Sequence, residues 1–280
     1  MYRQLPVRVY ASRNMDRITS KWLLLIVVCP LLAVSAFAKH ETGFLDRVVT
    51  VNGESYRYQV FVPSMWVGRK KWPVILFLHG AGERGSDGLL QTDVGLPHAI
   101  REHAADAAYI AVIPQCRSDK WWADANQQAP ALAALEASIK EFKGDRERVY
   151  LTGLSMGGYG TWDLAAKFPH RFAAYVVICG GIRGPREGSP LHVNLVDDPK
   201  IADPYTETAR LVGSTPVWIF HGDVDEAVPV EESRKMRDAL EAAKANFKYT
   251  EYAGVGHQSW DKAYAEPELM PWLLAKHLQH

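Results

Sequence analysis

Three stretches of this chain carry the residue types that nucleophilic acyl transfer needs. Residues 149–162 read VYLTGLSMGGYGTW, and Gly153-Leu154-Ser155-Met156-Gly157 within them has the form G-x-S-x-G. A serine hydroxyl is a weak nucleophile until a neighbouring base takes its proton. His257 is the best-placed base, in the glycine-containing run Tyr252-Ala253-Gly254-Val255-Gly256-His257. A base of this kind needs a carboxylate to fix its tautomer and stabilise the imidazolium. Residues 217–229, VWIFHGDVDEAVP, offer Asp223, Asp225 and Glu226 just past an apolar run. The other strand-end histidines, His79 and His221, each sit in a His-Gly pair and read as structural. His170 and His192 lie in polar, surface-like context.

Acyl transfer also develops an oxyanion, and preorganised backbone amides at that point are worth about 3–4 kcal/mol per donor. The amide of Met156, next after the serine, supplies the first donor in a strand-turn-helix setting. The second comes from the loop His79-Gly80-Ala81-Gly82-Glu83-Arg84-Gly85, where the amide of Ala81 is the expected donor. Glu83 and Arg84 read as ties that hold this loop. Trp121 and Trp122, in SDKWWADAN, are two adjacent tryptophans in a polar loop. Large apolar rings at such a place suit a substrate pocket wall, and packing against the loop below is the alternative; two adjacent tryptophans in a polar loop are hard to bury together, which favours a pocket role for at least one.

The elements that must hold these residues alternate between strand and helix. Val48–Val51 and Tyr56–Val62 alternate in polarity around Asn52-Gly53, the mark of a tight hairpin. Pro73–Leu78, Tyr109–Ile113, Val149–Leu151, Ala173–Ile178 and Val217–Phe220 are continuous apolar runs, suited to strands buried on both faces. Phe247–Tyr252 reads as the last strand. Leu132, Leu135, Ile139 and Phe142 recur at helical steps, as do Met236, Leu240 and Ala243. Such alternation predicts an α/β fold, a mostly parallel sheet with helices on both faces, led by an antiparallel hairpin. Residues 181–215 show no clear periodicity. That segment is too short for a separate cap domain and long enough to shape a substrate pocket.

The 280 residues carry 32 basic and 32 acidic side chains, with 48% hydrophobic and 23% charged residues. This balance gives no sign of a nucleic-acid partner. Trp22–Ala38 (WLLLIVVCPLLAVSAFA) is apolar, follows Arg13, Arg17 and Lys21, and ends in Ala36-Phe37-Ala38. That pattern predicts a signal peptide over 1–38, cleaved after Ala38, and a catalytic domain over 39–280. An uncleaved N-terminal membrane anchor is the rival reading, and Met15 is a rival start. The expected location is secreted or periplasmic, with no stable membrane partner after cleavage. Neither C-x-x-C nor H-E-x-x-H occurs, so no metal or cofactor is expected.

The runs LFLHGAGERG, PQC at 114–116, LTGLSMGGYGTWDLAAKFPHRFAA, ICGG at 178–181 and FHGDVDEAVPVEESRKM resemble secreted carboxylesterases of the α/β-hydrolase superfamily. The nearest group is the phospholipase/carboxylesterase type with a prolyl-oligopeptidase-like domain. Feruloyl and acetylxylan esterases and polyhydroxybutyrate depolymerases are more distant relatives. The resemblance spans about residues 44–276. It implies eight strands in the order 1-2-4-3-5-6-7-8, and the chain order Ser155, acid, His257 agrees with that fold. The D-x-x-V-P pattern of such hydrolases falls on Asp225, with Asp223 the runner-up. The implied strand order puts two strands between Cys116 and Cys179, about 14 Å at 4.8 Å per step. A disulfide needs Cα atoms within about 7 Å, so two free, buried thiols are expected.

The resulting expectation is a serine carboxylesterase acting on short-chain or carbohydrate-linked esters, the substrate being a small molecule or borne on a polysaccharide. No lipase-type lid is evident. A serine peptidase of prolyl-oligopeptidase type is the first alternative, although these 280 residues hold no counterpart of its β-propeller. The second is a catalytically silent carbohydrate- or lipid-binding protein on the same scaffold.

Overall fold

The computed structural model describes residues 41–278. The predicted leader, 1–38, and its cleavage site lie outside the described residues. Among the described residues eight strands form one sheet: β1 (Gly43–Val51), β2 (Glu54–Val62), β3 (Trp72–Leu78), β4 (Ile110–Pro114), β5 (Gly144–Leu154), β6 (Ala174–Ile178), β7 (Val217–Gly222) and β8 (Phe247–Tyr252). Their order is β1-β2-β4-β3-β5-β6-β7-β8, as the resemblance implies. β1 pairs antiparallel with β2, and β2 with β4; every pairing from β4 to β8 is parallel. Asn52 and Gly53 both have positive φ, 51° and 83°, the primed turn that matches strand twist.

Among the described residues seven α-helices cover the sheet: α1 (Leu96–Glu102), α2 (Ala125–Phe142), α3 (Met156–Lys167), α4 (Pro204–Val212), α5 (Glu231–Ala242), α6 (Trp260–Tyr264) and α7 (Leu269–Leu274). Strand side chains alternate between faces, so each buried strand feeds two cores. Val74, Leu76 and Leu78 of β3 pack with Leu135 and Ile139 of α2, Trp162 of α3 and Met236 and Leu240 of α5. Ile75 and Phe77 pack on the other side with Leu96 and Ile100 of α1, Tyr264 of α6 and Leu269 and Leu273 of α7. Burial on both faces is why these strands read as unbroken apolar runs.

Several elements exceed the sequence reading, among them β1, which begins at Gly43 rather than Val48, and α1. β5 begins at Gly144, five residues before the apolar run, because its polar start still pairs with Trp72 of β3. The 181–215 segment contains α4, which buries Tyr205, Thr208, Ala209 and Val212. Its face has helical spacing but includes Tyr and Thr, which weakened the apolar signal. Asp203 caps it, accepting the amides of Tyr205 and Thr206 at 3.1 and 3.4 Å. Cys116 follows β4 and Cys179 follows β6, with β3 and β5 between; both are buried, free thiols. Among the described residues no helix is long and apolar enough to cross a membrane.

Candidate active site

The serine sits on a turn that only its neighbours make possible. Ser155, between β5 and α3, has φ 52° and ψ −119°, a region non-glycine residues rarely occupy. Such strain persists where the surroundings over-determine it. Here the Ser155 amide donates to the Ile178 carbonyl at 2.9 Å, while α3 begins at once with Met156. A side chain at 153 would overlap the Gly157 carbonyl, and one at 157 would overlap the Leu78 carbonyl. These contacts explain both glycines of the G-x-S-x-G run.

The loops after β7 and β8 bring the acid and the base to this serine. His257 Nε2 lies 2.9 Å from Ser155 Oγ, and His257 Nδ1 lies 2.7 Å from Asp225 Oδ2. The Asp225 carboxylate is fully enclosed, whereas the His257 ring is a quarter exposed. Asp225 Oδ1 accepts the amides of Ala227 and Val228 at 2.8 and 2.9 Å. Burial pushes the Asp225 carboxyl upward, but the bonds from His221, His257 and Val228 outweigh it and hold the group far below the usual carboxylate range. An ionised Asp225 can only accept, so His257 Nδ1 carries a proton and Nε2 is open to accept the serine hydroxyl's. Asp223 instead accepts the Gly254 amide at 2.7 Å, tying the two loops together.

The glycine-rich loop after β3 lies alongside. Ala81 opens a short 3-10 turn, Ala81–Glu83, and Met156 opens α3. First-turn amides have no intrahelical partner and are available to an anion. Ser155 Cβ is 3.8 Å from the point where a Gly80 side chain would begin, so this loop flanks the nucleophile. The loop is held from behind. The His79 ring is buried, donates from Nδ1 to the Gly80 carbonyl at 2.6 Å and accepts the Cys116 amide at Nε2 at 3.0 Å. Its burial pushes the imidazole pKa down to about 4, so it stays neutral and structural, as the sequence reading had it. Arg84 donates from Nε to the Ala81 carbonyl at 2.9 Å. Glu83 is half-enclosed beside the loop, and burial raises its carboxyl.

The tryptophan pair divides. Trp121 keeps exposed surface and lies under the Arg84 guanidinium, 4.7 Å from the ring centroid. Trp122 does not line a pocket, contrary to expectation. It is 2% exposed, packs against Gly160 and the His79 ring, and donates its indole N–H to the His79 carbonyl at 2.9 Å. An indole with a buried partner for its one polar atom is stable in the core, which the polar flanks SDK and ADAN concealed. Two residues were missed. Trp260 stands edge-on to the His257 ring at 5.5 Å, and its closeness in sequence to the base was the available signal. His221 was set aside as structural, yet its Nε2 lies 3.1 Å from Asp225 Oδ2.

One cluster of possible metal ligands exists among the described residues: atoms of Cys179, Asp225 and His257 lie within 4.8 Å of one another. Burial and the Asp225 charge hold the Cys179 thiol protonated, and Asp225 and His257 are already bonded to each other. Ligation requires a thiolate and a free imidazole nitrogen, so this donor set does not fit a metal.

A mostly parallel eight-stranded sheet, a serine on a strained strand-helix turn, and an acid and histidine on the later loops define an α/β hydrolase. More narrowly, the chain belongs to the dienelactone hydrolase family, whose model matches residues 58–266. It is 31% identical over 134 residues to the isoprenylcysteine alpha-carbonyl methylesterase ICME of Arabidopsis thaliana, covering 45% of this chain and 30% of that protein. The chain thus spans under a third of that relative's length. It is 28% identical over 278 residues to a poly(3-hydroxyoctanoate) depolymerase of Pseudomonas fluorescens, covering 84% of this chain and 91% of the relative. Among solved structures, a thermostable esterase superposes with a TM-score of 0.70 at 29% identity, over 84% of this chain and 63% of that one.

Proposed function

We propose that this protein is an exported serine carboxylesterase that cleaves short-chain or carbohydrate-linked esters through an acyl-enzyme on Ser155. The observation that carries the reading is the hydrogen-bonded line Ser155–His257–Asp225, with steps of 2.9 and 2.7 Å. Ser155 Oγ attacks the ester carbonyl as His257 Nε2 takes its proton. The carbonyl oxygen becomes an oxyanion received by the amides of Ala81 and Met156. The intermediate collapses as His257 returns the proton to the departing alcohol. Water, deprotonated by His257, then attacks the acyl-serine; the bond to Oγ breaks, His257 returns the proton to Ser155 Oγ, and the acid is released. Asp225 stays ionised throughout and stabilises the imidazolium.

Ester chemistry is favoured over amide chemistry by the relatives, which include a methylesterase, a depolymerase of a polyester and an esterase. Export rests on the apolar run Trp22–Ala38 and its Ala36-Phe37-Ala38 end. The test is a parallel assay of short-chain aryl esters, acetylated and feruloylated saccharides and peptide anilides, with fluorophosphonate labelling. Wild type should hydrolyse the esters and be labelled; Ser155→Ala should do neither while remaining folded. Retention of most esterase activity in Ser155→Ala, or an unlabelled wild type, rejects the reading.

A further inference from the structure

We propose that His221 is a positioning residue for the acid of this site, holding the Asp225 carboxylate in place and setting how strongly it draws on His257. The inference rests on the serine-hydrolase reading above.

His221 lies at the end of β7, four residues before Asp225, and both side chains are fully buried. Its Nε2 is 3.1 Å from Asp225 Oδ2 and 3.0 Å from the Val228 carbonyl. Both partners are acceptors, so Nε2 carries a proton. On the other side, Nδ1 is 2.7 Å from Ser233 Oγ in the first turn of α5; with Nε2 protonated, Nδ1 accepts from that hydroxyl, whose other acceptor in reach, the Gly180 carbonyl, is farther away at 3.4 Å. Asp225 therefore receives two imidazole N–H groups on Oδ2 and two backbone amides on Oδ1. The result is a hydrogen-bonded line, Ser233–His221–Asp225–His257–Ser155, running from α5 to the nucleophile.

A buried histidine at a strand end is commonly just packing. Packing needs only the ring's volume, however, and does not require an N–H aimed at the oxygen that already serves His257. Two physical consequences follow. With four fixed donors the carboxylate cannot rotate away from His257. A second N–H on Oδ2 also draws negative charge from the carboxylate that faces His257. Loss of that donor should leave more negative charge facing the His257 ring. The donation from Ser233 strengthens the His221 N–H as a donor, since linked hydrogen bonds polarise one another. The titratable groups around this line are Asp225 and His257 from the loops after β7 and β8, Cys179 after β6, Tyr159 of α3 and Glu232 of α5. Burial first, and then the nearby negative charges, hold Tyr159 and Cys179 protonated through the neutral range, so neither competes in the same pH window.

The experiment measures the fluorophosphonate labelling rate and the pH profile of kcat/KM on a short-chain aryl ester, using the full chain. His221→Leu keeps volume and removes the donor. It should slow both reactions about tenfold or more, the worth of a hydrogen bond to a charged group, and move the acid limb to higher pH. His221→Gln places an amide N–H near the Nε2 position and should restore most of the rate and the limb. A His221→Leu enzyme with wild-type rate and limb overturns the proposal. So does a His221→Gln enzyme as slow as His221→Leu with the limb unmoved, which marks a packing role. If His221→Leu does not fold, Ser233→Ala decides. A slower reaction with the limb moved upward supports the proposal, and wild-type values overturn it. Failure of the underlying reading is separate, because it shows as an unlabelled wild type before any His221 variant is compared.

Discussion

His257 Nδ1 meets Asp225 Oδ2 at 2.7 Å, while Asp223, two residues earlier, bonds to the Gly254 amide instead. The two carboxylates are close in sequence and have different work. Asp225→Asn should lower kcat on an aryl ester by about 10⁴, the cost of presenting His257 with the wrong tautomer. Asp223→Asn should leave kcat within about fivefold, since a surface loop tie is worth about 1 kcal/mol. Steady-state kinetics of the two variants separate these outcomes, and equal losses would move the acid from Asp225.

The glycine next after Met156 has no room for a side chain. Gly157→Ala forces a Cβ into the Leu78 carbonyl, which is backbone and cannot swing aside. It should cost more than about 3 kcal/mol or prevent folding, a magnitude reserved for overpacked cores. Gly82→Ala, with open space around the new Cβ, should stay within about 1 kcal/mol of wild type. Urea unfolding of the two variants measures the contrast.

His79 predicts a pH dependence of stability. Its folded pKa is pushed down to about 4 from an ordinary 6.5 by burial. Between those values the unfolded chain binds more protons, so stability rises with pH across that window. The full contribution is present above pH 6.5 and is lost as pH falls through 4, up to about 3 kcal/mol in all. Asp225, with a depressed pKa, contributes stability present above its ordinary value of 3.8 and lost below it, outside most of this window. Denaturant unfolding at pH 4.5 and 7 should show the slope in wild type and a flatter one in His79→Asn. Equal slopes would contradict the assignment.

Trp122 and Trp121 should respond differently to truncation. Trp122→Phe leaves a gap beside Gly160 and an unpaired His79 carbonyl, and should cost about 2–4 kcal/mol. Trp121→Ala should change stability by less than about 1 kcal/mol, as expected for a part-exposed side chain. If Trp121 borders the substrate, its loss should raise KM with kcat preserved. Thermal melts and initial-rate kinetics on the same preparations settle both points.

Much of this molecule is legible in its sequence. The parallel strands announced themselves because burial on both faces forces continuous apolar runs, and the Asn52-Gly53 hairpin because primed turns demand those residues. Ser155 was legible because its strained turn requires glycine on either side. α4 was obscured because Tyr205 and Thr208 occupy half of its buried face. Trp122 was misread because polar neighbours in sequence do not report on what lies above and below a side chain.

By itself, the sequence determined the class of fold and marked Ser155 and His257 as candidates. These depend on periodicity and on local backbone demands, which are written residue by residue, whereas the strand order that separates the two cysteines came from the resemblance to related hydrolases. The distinction between Asp225 and Asp223 was drawn from a pattern shared with related hydrolases, and the tertiary structure supplied its physical basis. Only the tertiary structure decided that Trp122 is core and that His221 stands behind Asp225. Those facts depend on which side chains from distant strands converge within hydrogen-bond reach, 3.1 Å in the case of His221 and Asp225. Convergence of that kind is a property of the packed sheet and leaves no mark in the spacing of any one segment.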